Sequence, residues 1–343
     1  MVNIVIPIYG QSSLLLELWT SICKNTAPGL VNQIILVNDS PSDTESVETC
    51  QSISLSECDF EVKVILNEEN LGFPESCNRA FEESNSVDVV IVNSDTLVFS
   101  GWLEGLWETA CKLRSEGRLF ASITPCTNNG TIATVPLENR PYDRSPAQDF
   151  GEAVSKLLSR IGKKFGYFEM PVGIGFCMLM SKEGLEAEGG FDPIFSPGYG
   201  EEVDWCLRCG NRGLSSFLCP SVFVYHHGGA SFGSLKSARQ EENEKIVCSR
   251  FPDYHESVRR YLEEQPTRGF RTELGHYWLV LNAISGASSG EVIEFETEIG
   301  FFRSSLLLNK EVVFQCFGQK KFFKFIQNSE DCFGIKIKTS DPR

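Results

Sequence analysis

The alternation of β-branched runs with stretches of helical periodicity is the feature that most constrains how this chain folds. Val2 to Ile8 is a β-branched run, Ser12 to Asn25 carries apolar residues at helical spacing, and Gln33 to Val37 is strand-like again. The same alternation continues through the segments Val62 to Leu66, Pro74 to Glu83, Val87 to Val92, Trp102 to Ser115 and Leu119 to Thr124. Strands that alternate with helices predict an α/β fold with a mostly parallel sheet flanked by helices on both faces.

Three polar clusters directly follow predicted strands. They are Pro7-Ile8-Tyr9-Gly10, Asn38-Asp39-Ser40 and Asn93-Ser94-Asp95-Thr96. In sheets of this kind, ligands bind outside the carboxyl ends of the strands. We therefore expect these clusters to line the binding site.

Asp95 is the clearest candidate metal ligand. It follows an uncharged Val-Val-Ile-Val run, which would present its carboxylate at the tip of a buried strand. Mg²⁺ and Mn²⁺ accept oxygen ligands and are commonly bound by one or two carboxylates together with substrate phosphates. The alternative is an Asn-Ser-Asp turn that only caps the next helix.

A second acidic cluster lies at Glu201-Glu202, between a glycine-rich loop and a predicted helix. One of two adjacent carboxylates at this position can act as a general base. Asp204 and Arg208 are four residues apart and are predicted to pair on the helix surface. The alternative for the glutamates is that they only complement the dipole of the first helical turn.

Paired histidines, His226 and His227, end a strand-like run that leads into a glycine turn. Neutral imidazole is a frequent metal ligand. Side chains alternate along a strand, so only one of the two can point towards a given site, and a structural histidine is the alternative.

Several other classes of protein are disfavoured. Gly173-Ile174-Gly175 does not complete a dinucleotide-binding GxGxxG, and no GxxxxGK[ST] is present, so neither a nicotinamide dehydrogenase nor a P-loop kinase fits. Cys206 and Cys209 form a CxxC without a second pair at zinc spacing. The formal charge of -15 disfavours nucleic acid as a partner.

Cysteine usage and the N-terminal sequence predict a cytoplasmic protein. The 13 cysteines are odd in number and scattered, which is typical of reduced thiols. The N-terminus has no signal-peptide pattern, and no apolar stretch is long enough to span a bilayer. Any role at the membrane would therefore require transient contact with its inner face.

The pattern changes towards the C-terminus. Asn128 to Gln148 is predicted as a long loop or lid, and Phe150 to Gly162 as a helix. The segments Glu291 to Phe302, Glu311 to Phe317 and Phe322 to Ile326 are β-rich. We predict a main domain over 1–266 and a small β-rich appendage over 267–343.

Taken together, the clusters resemble the family 2 glycosyltransferases with the GT-A fold, from about Val2 to Gly233. Three stretches are similar to the family's opening strand motif, its nucleotide-contacting acidic turn and its Asn-Leu-Gly-Phe segment, namely Val5-Ile6-Pro7-Ile8-Tyr9, Ile35-Leu36-Val37-Asn38-Asp39-Ser40 and Asn67 to Asn78. Asn93-Ser94-Asp95 matches the DXD-type metal motif, with Asn in place of the first Asp. Glu201-Glu202 matches the family's acidic pair, and His226 matches the first histidine of a His-x-Gly-Gly-x-Ser pattern.

The resemblance implies a function and a role for each residue. It implies an inverting glycosyltransferase that uses Mn²⁺ or Mg²⁺ and a UDP- or dTDP-sugar donor, with a glycan or lipid-linked acceptor. Asp95 and His226 would bind the metal, and Glu202, with Glu201 in reserve, would be the catalytic base. The implied donor-binding residues are Pro7, Tyr9, Asp39, Asn70, Gly72, Phe73, Asn78, Asn93 and Ser94.

Two rival functions stay open. A nucleotidyltransferase has a similar sheet and metal site but would need a basic loop near the first strand, where this chain offers none before Lys24. A non-catalytic nucleotide-sugar or glycan binder is opposed by the retained Asp95, Glu201-Glu202 and His226, whereas Asn93 keeps this alternative open. The stretch Pro125 to Pro136 resembles loops of bacterial polysaccharide-building, rhamnosyltransferase-like members, but it does not fix the sugar.

Overall fold

The computed structural model describes residues 1–84, 86–143, 147–228, 236–275 and 278, together with 292–297, 300–306, 311–316 and 319–324. Contacts divide the chain into two compact units, Met1–Thr267 and Arg268–Arg343. The domain boundary expected near 267 stays a prediction.

Nine strands and nine helices are described in the first unit. The strands are β1 Val2–Ile8, β2 Val31–Asn38, β3 Val62–Leu66, β4 Asp88–Val92, β5 Thr96–Val98, β6 Phe120–Cys126, β7 Phe168–Met170, β8 Cys177–Met180 and β9 Ser215–His226. The helices are α1 Ser12–Asn25, α2 Thr44–Leu55, α3 Phe73–Glu82, α4 Trp102–Ser115, α5 Ala147–Ile161, α6 Lys182–Glu188, α7 Glu201–Gly210, α8 Lys236–Arg250 and α9 Tyr254–Glu264.

The strands of this unit form one sheet in the order β3-β2-β1-β4-β8-β6-β9-β5, with β7 paired to β9. The half made of β3, β2, β1 and β4 is parallel, as predicted. In the other half β8 runs antiparallel to both β4 and β6, and β5 runs antiparallel to β9. The α/β fold class is confirmed, and the sheet is mixed beyond β4.

Alternating side chains of the strands build a core on each face of the sheet. Ile4 and Ile6 of β1 belong to a buried cluster that includes Leu18 of α1, whereas Val5 belongs to a cluster that includes Cys77 of α3 and Trp205 of α7. Each fully buried aliphatic side chain contributes ~1.5–3 kcal/mol relative to an exposed one. This two-sided burial explains why β1, β2 and β4 are nearly continuous apolar runs.

One helix of the parallel half was not predicted. Helix α2 buries only Ser46, Cys50 and Ile53, so its sequence lacks a clear apolar stripe. It begins where the side chain of Asp43 accepts a hydrogen bond from the backbone N–H of Ser46 at 3.2 Å.

The predicted loop over Asn128 to Gln148 contains a short 3₁₀ turn at Thr131–Ala133, and α5 begins at Ala147, before its predicted start. Residues 144–146 of that stretch lie outside the described residues. In the described part of the chain, no helix is long and apolar enough to cross a membrane.

In the second unit, four strands form an antiparallel meander in the order β10-β11-β12-β13. They are β10 Val292–Thr297, β11 Gly300–Leu306, β12 Glu311–Cys316 and β13 Gln319–Lys324. The first predicted β-rich segment is therefore a pair of strands. Phe325 and Ile326, the end of the last predicted segment, lie outside the described residues.

Candidate active site

Asp39 follows the last residue of β2 and is buried, with 4% of its surface exposed. Its Oδ1 accepts hydrogen bonds from Asn67 Nδ2 at 2.7 Å and from the backbone N–H of Leu71 at 2.8 Å. Its Oδ2 accepts one from the backbone N–H of Gly72, also at 2.8 Å. Three of about four acceptor positions of this carboxylate are thus used to hold the turn before α3.

The turn at Asn70–Gly72 packs against the loop before α7. Gly72 has φ +85°, and a Cβ on it would lie 2.7 Å from Pro197 Cα. The backbone N–H of Phe73 donates to Pro197 O at 2.9 Å, and Ser196 Oγ donates to Leu71 O at 3.1 Å. Only glycine combines this φ with such a close backbone approach, and the contact joins the β2 end of the sheet to the loop that leads to Glu201 and Glu202.

Asp95 and His226 come together where β5 pairs antiparallel with β9. Thr96 lies opposite His226 in that ladder, and His226 Nε2 is 3.4 Å from Asp95 Oδ1. Burial alone would raise the pKa of the Asp95 carboxyl, but the hydrogen bond and positive charge of His226 and the charge of His227 hold its pKa below the usual value. Asp95 is therefore ionised at neutral pH.

His226 is fixed by its neighbours in the loop after β6. Asn128 brackets its backbone, accepting from His226 N at 2.7 Å and donating to His226 O at 2.9 Å. The ring Nδ1 lies 2.8 Å from the carbonyl oxygen of Asn129, and the ring stacks on Phe176 with centroids 5.2 Å apart. The sequence placed Asn128 and Asn129 in a predicted loop or lid and gave no sign that they orient the histidine.

The atoms at this position fit a divalent cation. The Asn129 carbonyl can only accept, so Nδ1 carries the hydrogen of this contact, and Nε2 is the ring atom that faces the Asp95 carboxylate. A carboxylate oxygen and an imidazole nitrogen are both common ligand atoms for divalent metals. The amide oxygen of Asn93 is also buried and has no hydrogen-bond partner.

Among the residues that the structure describes, no three His, Cys, Asp or Glu side chains are arranged so that they could hold a metal ion by themselves. The Asp95 carboxylate, the His226 imidazole and the Asn93 amide oxygen would occupy only some coordination positions of a metal, and the others would be open to substrate phosphate. That incomplete set is typical of Mg²⁺ or Mn²⁺ sites that bind a diphosphate.

Glu201 and Glu202 open α7, immediately after Gly200, which has φ +99°. One carboxylate oxygen of each is buried and has no hydrogen-bond partner. Burial raises the pKa of Glu202, and burial together with the nearby Glu202 charge raises the pKa of Glu201 well above its usual range. A carboxylate with a raised pKa is a stronger base, which suits proton abstraction.

Tyr199 lies close enough to Asp95 and to the two glutamates of α7 for their charges to act on it. Burial and the charges of Glu201, Asp95 and Glu202 raise the pKa of its phenol. Its φ of +74° is in the left-handed region, which is uncommon for a tyrosine. Tyr199 was not predicted as a site residue, since only the backbone conformation of the turn brings it here.

Other predicted donor-binding residues lie at or near the same strand ends. Pro7 pairs with Val37 near the end of β1, Tyr9 follows β1 with 47% of its surface exposed, and Asn70 Oδ1 accepts from Gly72 N at 3.0 Å. Asn93 and Ser94 lie between β4 and β5. Their contacts with a donor stay predictions.

Asn78 and Phe73 are engaged with Phe191 instead. Asn78 Nδ2 donates to Phe191 O and Asn78 Oδ1 accepts from Phe191 N, both at 2.8 Å, while the Phe73 and Phe191 rings stack at 6.2 Å. The structure thus gives both side chains a packing role, and their donor contacts stay predictions.

The predicted pair of Asp204 and Arg208 is present at 2.8 Å. It is not a surface pair, because Asp204 is fully buried and also accepts from Arg250 at 2.7 Å. Cys206 and Cys209 are buried thiols.

The fold is shared with solved glycosyltransferases. A mannosyltransferase from Pyrobaculum calidifontis in complex with GDP-Man and Mn²⁺ is 15% identical, with a TM-score of 0.53 over 84% of this chain and 76% of that chain. GalNAc-T7 with UDP, GalNAc and Mn²⁺ is also 15% identical, with a TM-score of 0.53 over 94% of this chain and 67% of that chain. No curated protein sequence matches significantly.

The sequence itself matches the model of glycosyl transferase family 2 over residues 3–189. This match spans more than half of the 343 residues and includes the strand ends that carry Asp39 and Asp95. The chain therefore belongs to glycosyl transferase family 2, and it is a glycosyltransferase with the GT-A fold.

Proposed function

We propose that this enzyme transfers a sugar with inversion from a UDP- or dTDP-sugar to a hydroxyl of a glycan or lipid-linked acceptor, with the help of a divalent metal. The observation that carries the proposal is the pair of potential metal ligands Asp95 Oδ1 and His226 Nε2, 3.4 Å apart, with the buried and partnerless oxygen of Asn93 nearby in sequence. A cytoplasmic location with transient contact at the membrane surface belongs to the same proposal.

Asp95, His226 and the amide oxygen of Asn93 would hold Mn²⁺ or Mg²⁺. When bound, the metal supplies Lewis-acid stabilisation of the negative charge on the departing diphosphate. The hydrogen bond from Nδ1 to Asn129 and the Asn128 bracket keep the imidazole oriented for this role.

Glu202 takes the proton of the acceptor hydroxyl. The acceptor oxygen forms a bond to the anomeric carbon as the bond from that carbon to the diphosphate oxygen breaks, and the proton moves to the Glu202 carboxylate. Attack from the face opposite the leaving group inverts the anomeric configuration, by the geometric reasoning that also applies to inverting glycosidases. The raised pKa of Glu202 favours this transfer.

Asp39 favours a pyrimidine donor. With three of its acceptor positions filled by Asn67, Leu71 and Gly72, about one remains, at Oδ2. Uracil and thymine offer a single imide N–H, whereas guanine offers two adjacent donors that would require two acceptors. The remaining acceptor therefore suits a UDP- or dTDP-sugar better than a GDP-sugar.

A thermal-shift panel of UDP-, dTDP- and GDP-sugars, each with Mn²⁺, Mg²⁺ or EDTA, tests the proposal. A ligand selective for the folded protein raises its stability by about 2.7 kcal/mol at a concentration 100 times its Kd. We expect a shift with a UDP- or dTDP-sugar that disappears in EDTA. Absence of any shift with a UDP- or dTDP-sugar would contradict the proposed donor, and a shift that EDTA leaves unchanged would contradict the proposed metal.

A further inference from the structure

One face of α8 is packed against the turn that precedes α7. The face consists of Asn243, Val247 and Arg250, which are spaced at helical intervals of four and three residues. Asn243 and Val247 are each only 2% exposed. The turn is the one that carries Tyr199 and delivers Glu201 and Glu202 to the site.

Asn243 contacts three backbone carbonyls of that turn with a single amide group. Its Nδ2 donates to the carbonyl oxygens of Phe195 at 3.2 Å, Gly198 at 3.0 Å and Tyr199 at 2.8 Å. Two N–H groups serve three acceptors, so at least one hydrogen bond is shared. The carbonyls converge because Gly198, Tyr199 and Gly200 all have positive φ, at +154°, +74° and +99°.

Val247 and Arg250 continue the contact. A Cβ on Gly200 would lie 3.6 Å from Val247 Cγ2, so this helix face closes over the residue that precedes Glu201. Arg250 donates to Asp204 of α7 at 2.7 Å and to Asp192 at 2.8 Å. The first turn of α7 and the turn before it are therefore both held by α8.

We propose that Asn243 is a positioning residue for the transfer reaction, because it holds the Phe195–Tyr199 turn and so sets where Tyr199 and the Glu202 carboxylate lie. The inference rests on the proposed role of Glu202. Asn243 is placed in neither the donor site nor the metal site, and it acts through the turn. Loss of its amide donors removes the hydrogen bonds to Gly198 O and Tyr199 O, while Phe195 O keeps the one from Gly198 N, and it releases the backbone that precedes α7.

The test compares Asn243→Leu and Asn243→Asp with Gln240→Leu, an exposed amide on the same helix. Both Asn243 variants are close in size to asparagine, and the ionised aspartate cannot donate to a carbonyl. Turnover is measured as release of nucleoside diphosphate, per mole of folded enzyme, over a range of pH. Donor binding with Mn²⁺ is measured by calorimetry, and amide hydrogen exchange is followed over residues 195–205.

We expect both Asn243 variants to lower kcat by 10-fold or more while the Kd for the donor changes by less than about 3-fold. We also expect the acid limb of the pH profile to move and exchange over residues 195–205 to accelerate, with Gln240→Leu unchanged in each respect. If only Asn243→Leu fails to fold, Asn243→Asp carries the comparison.

If folded Asn243 variants keep both the kcat and the acid limb of the pH profile of the unmodified enzyme, the inference is overturned and Asn243 is a purely structural residue. Unchanged exchange over residues 195–205 would also overturn it. Failure of the proposed function would look different. Full turnover by Glu202→Gln would show that Glu202 is not the base, whereas the hydrogen-exchange result for the Asn243 variants would be unaffected.

Discussion

His226 is held by partners that all come from other segments of the chain. Asn128 fixes its backbone, Asn129 fixes its ring tautomer, and Phe176 lies flat against the ring. As a result, Nε2 is the ring atom that faces Asp95. Partners of this kind orient a metal ligand, and their loss typically costs about 10–100-fold in metal affinity or activity.

Glu202→Gln tests the base at the residue scale. The amide keeps the shape of the side chain but cannot accept a proton, so we expect turnover to fall by roughly 10²–10⁴-fold. Metal-dependent donor binding, measured by calorimetry, should stay within a few-fold of the unmodified enzyme. Glu264→Gln, at an exposed position at the end of α9, is the matched control; unchanged turnover in Glu202→Gln would show that another group is the base.

Glu201 gives a prediction about pH. Burial raises its pKa in the folded state, so folding favours its protonated form, and the unfolding free energy falls as pH rises from the unfolded pKa through the folded one. Glu201→Gln removes this penalty. We expect its Tm to exceed that of the unmodified enzyme by a few degrees near pH 8 and to match it near pH 4. A Tm difference that is constant across this range would contradict the assignment.

At the scale of elements, the site depends on two loops that meet. The turn at Asn70–Gly72, which follows β3, is held by Asp39, and it packs against the loop that leads into α7. Asp39 therefore serves both the local fold and, by our proposal, recognition of the base.

Gly72→Ala should break this junction. The substitution places a methyl group 2.7 Å from Pro197 Cα and forces alanine into a left-handed φ, which alone costs about 1–2 kcal/mol. We expect a clearly lower Tm in thermal unfolding and weaker donor binding. Gly29→Ala is the control, because a Cβ there meets nothing within 4 Å; equal Tm values for the two variants would contradict the close packing described here.

The elements that sequence could predict are those with strong periodicity. Strand β1 and helices α1 and α4 were predicted at their observed bounds, because apolar runs and helical stripes are local signals. Helix α2 was not, since it buries few apolar side chains. The antiparallel direction of β8 could not be predicted either, because strand direction depends on tertiary pairing rather than on the local sequence pattern.

The same distinction applies to the candidate site. The strand-end positions of Asp39 and Asp95 follow from the alternation of strands and helices. Tyr199 and Asn243 were missed, because their roles depend on backbone conformation and on long-range contacts that leave no motif in sequence.

At the scale of the whole molecule, the β2, β4 and β9 ends each carry one part of the proposed mechanism. Asp39 follows β2, Asp95 follows β4, and His226 ends β9. The glutamates on α7 supply the base. A net charge of -15 makes binding of an anionic donor unfavourable at long range, so the account requires a local cation at Asp95 and His226.

Calorimetric titration of a UDP- or dTDP-sugar in the presence of Mn²⁺ tests this requirement most directly, with Asp95→Ala and the exposed control Asp59→Ala measured beside the unmodified enzyme. The account predicts donor binding that EDTA abolishes, that Asp95→Ala loses and that Asp59→Ala keeps. Donor binding of equal strength in EDTA, or in Asp95→Ala with Mn²⁺, would contradict it.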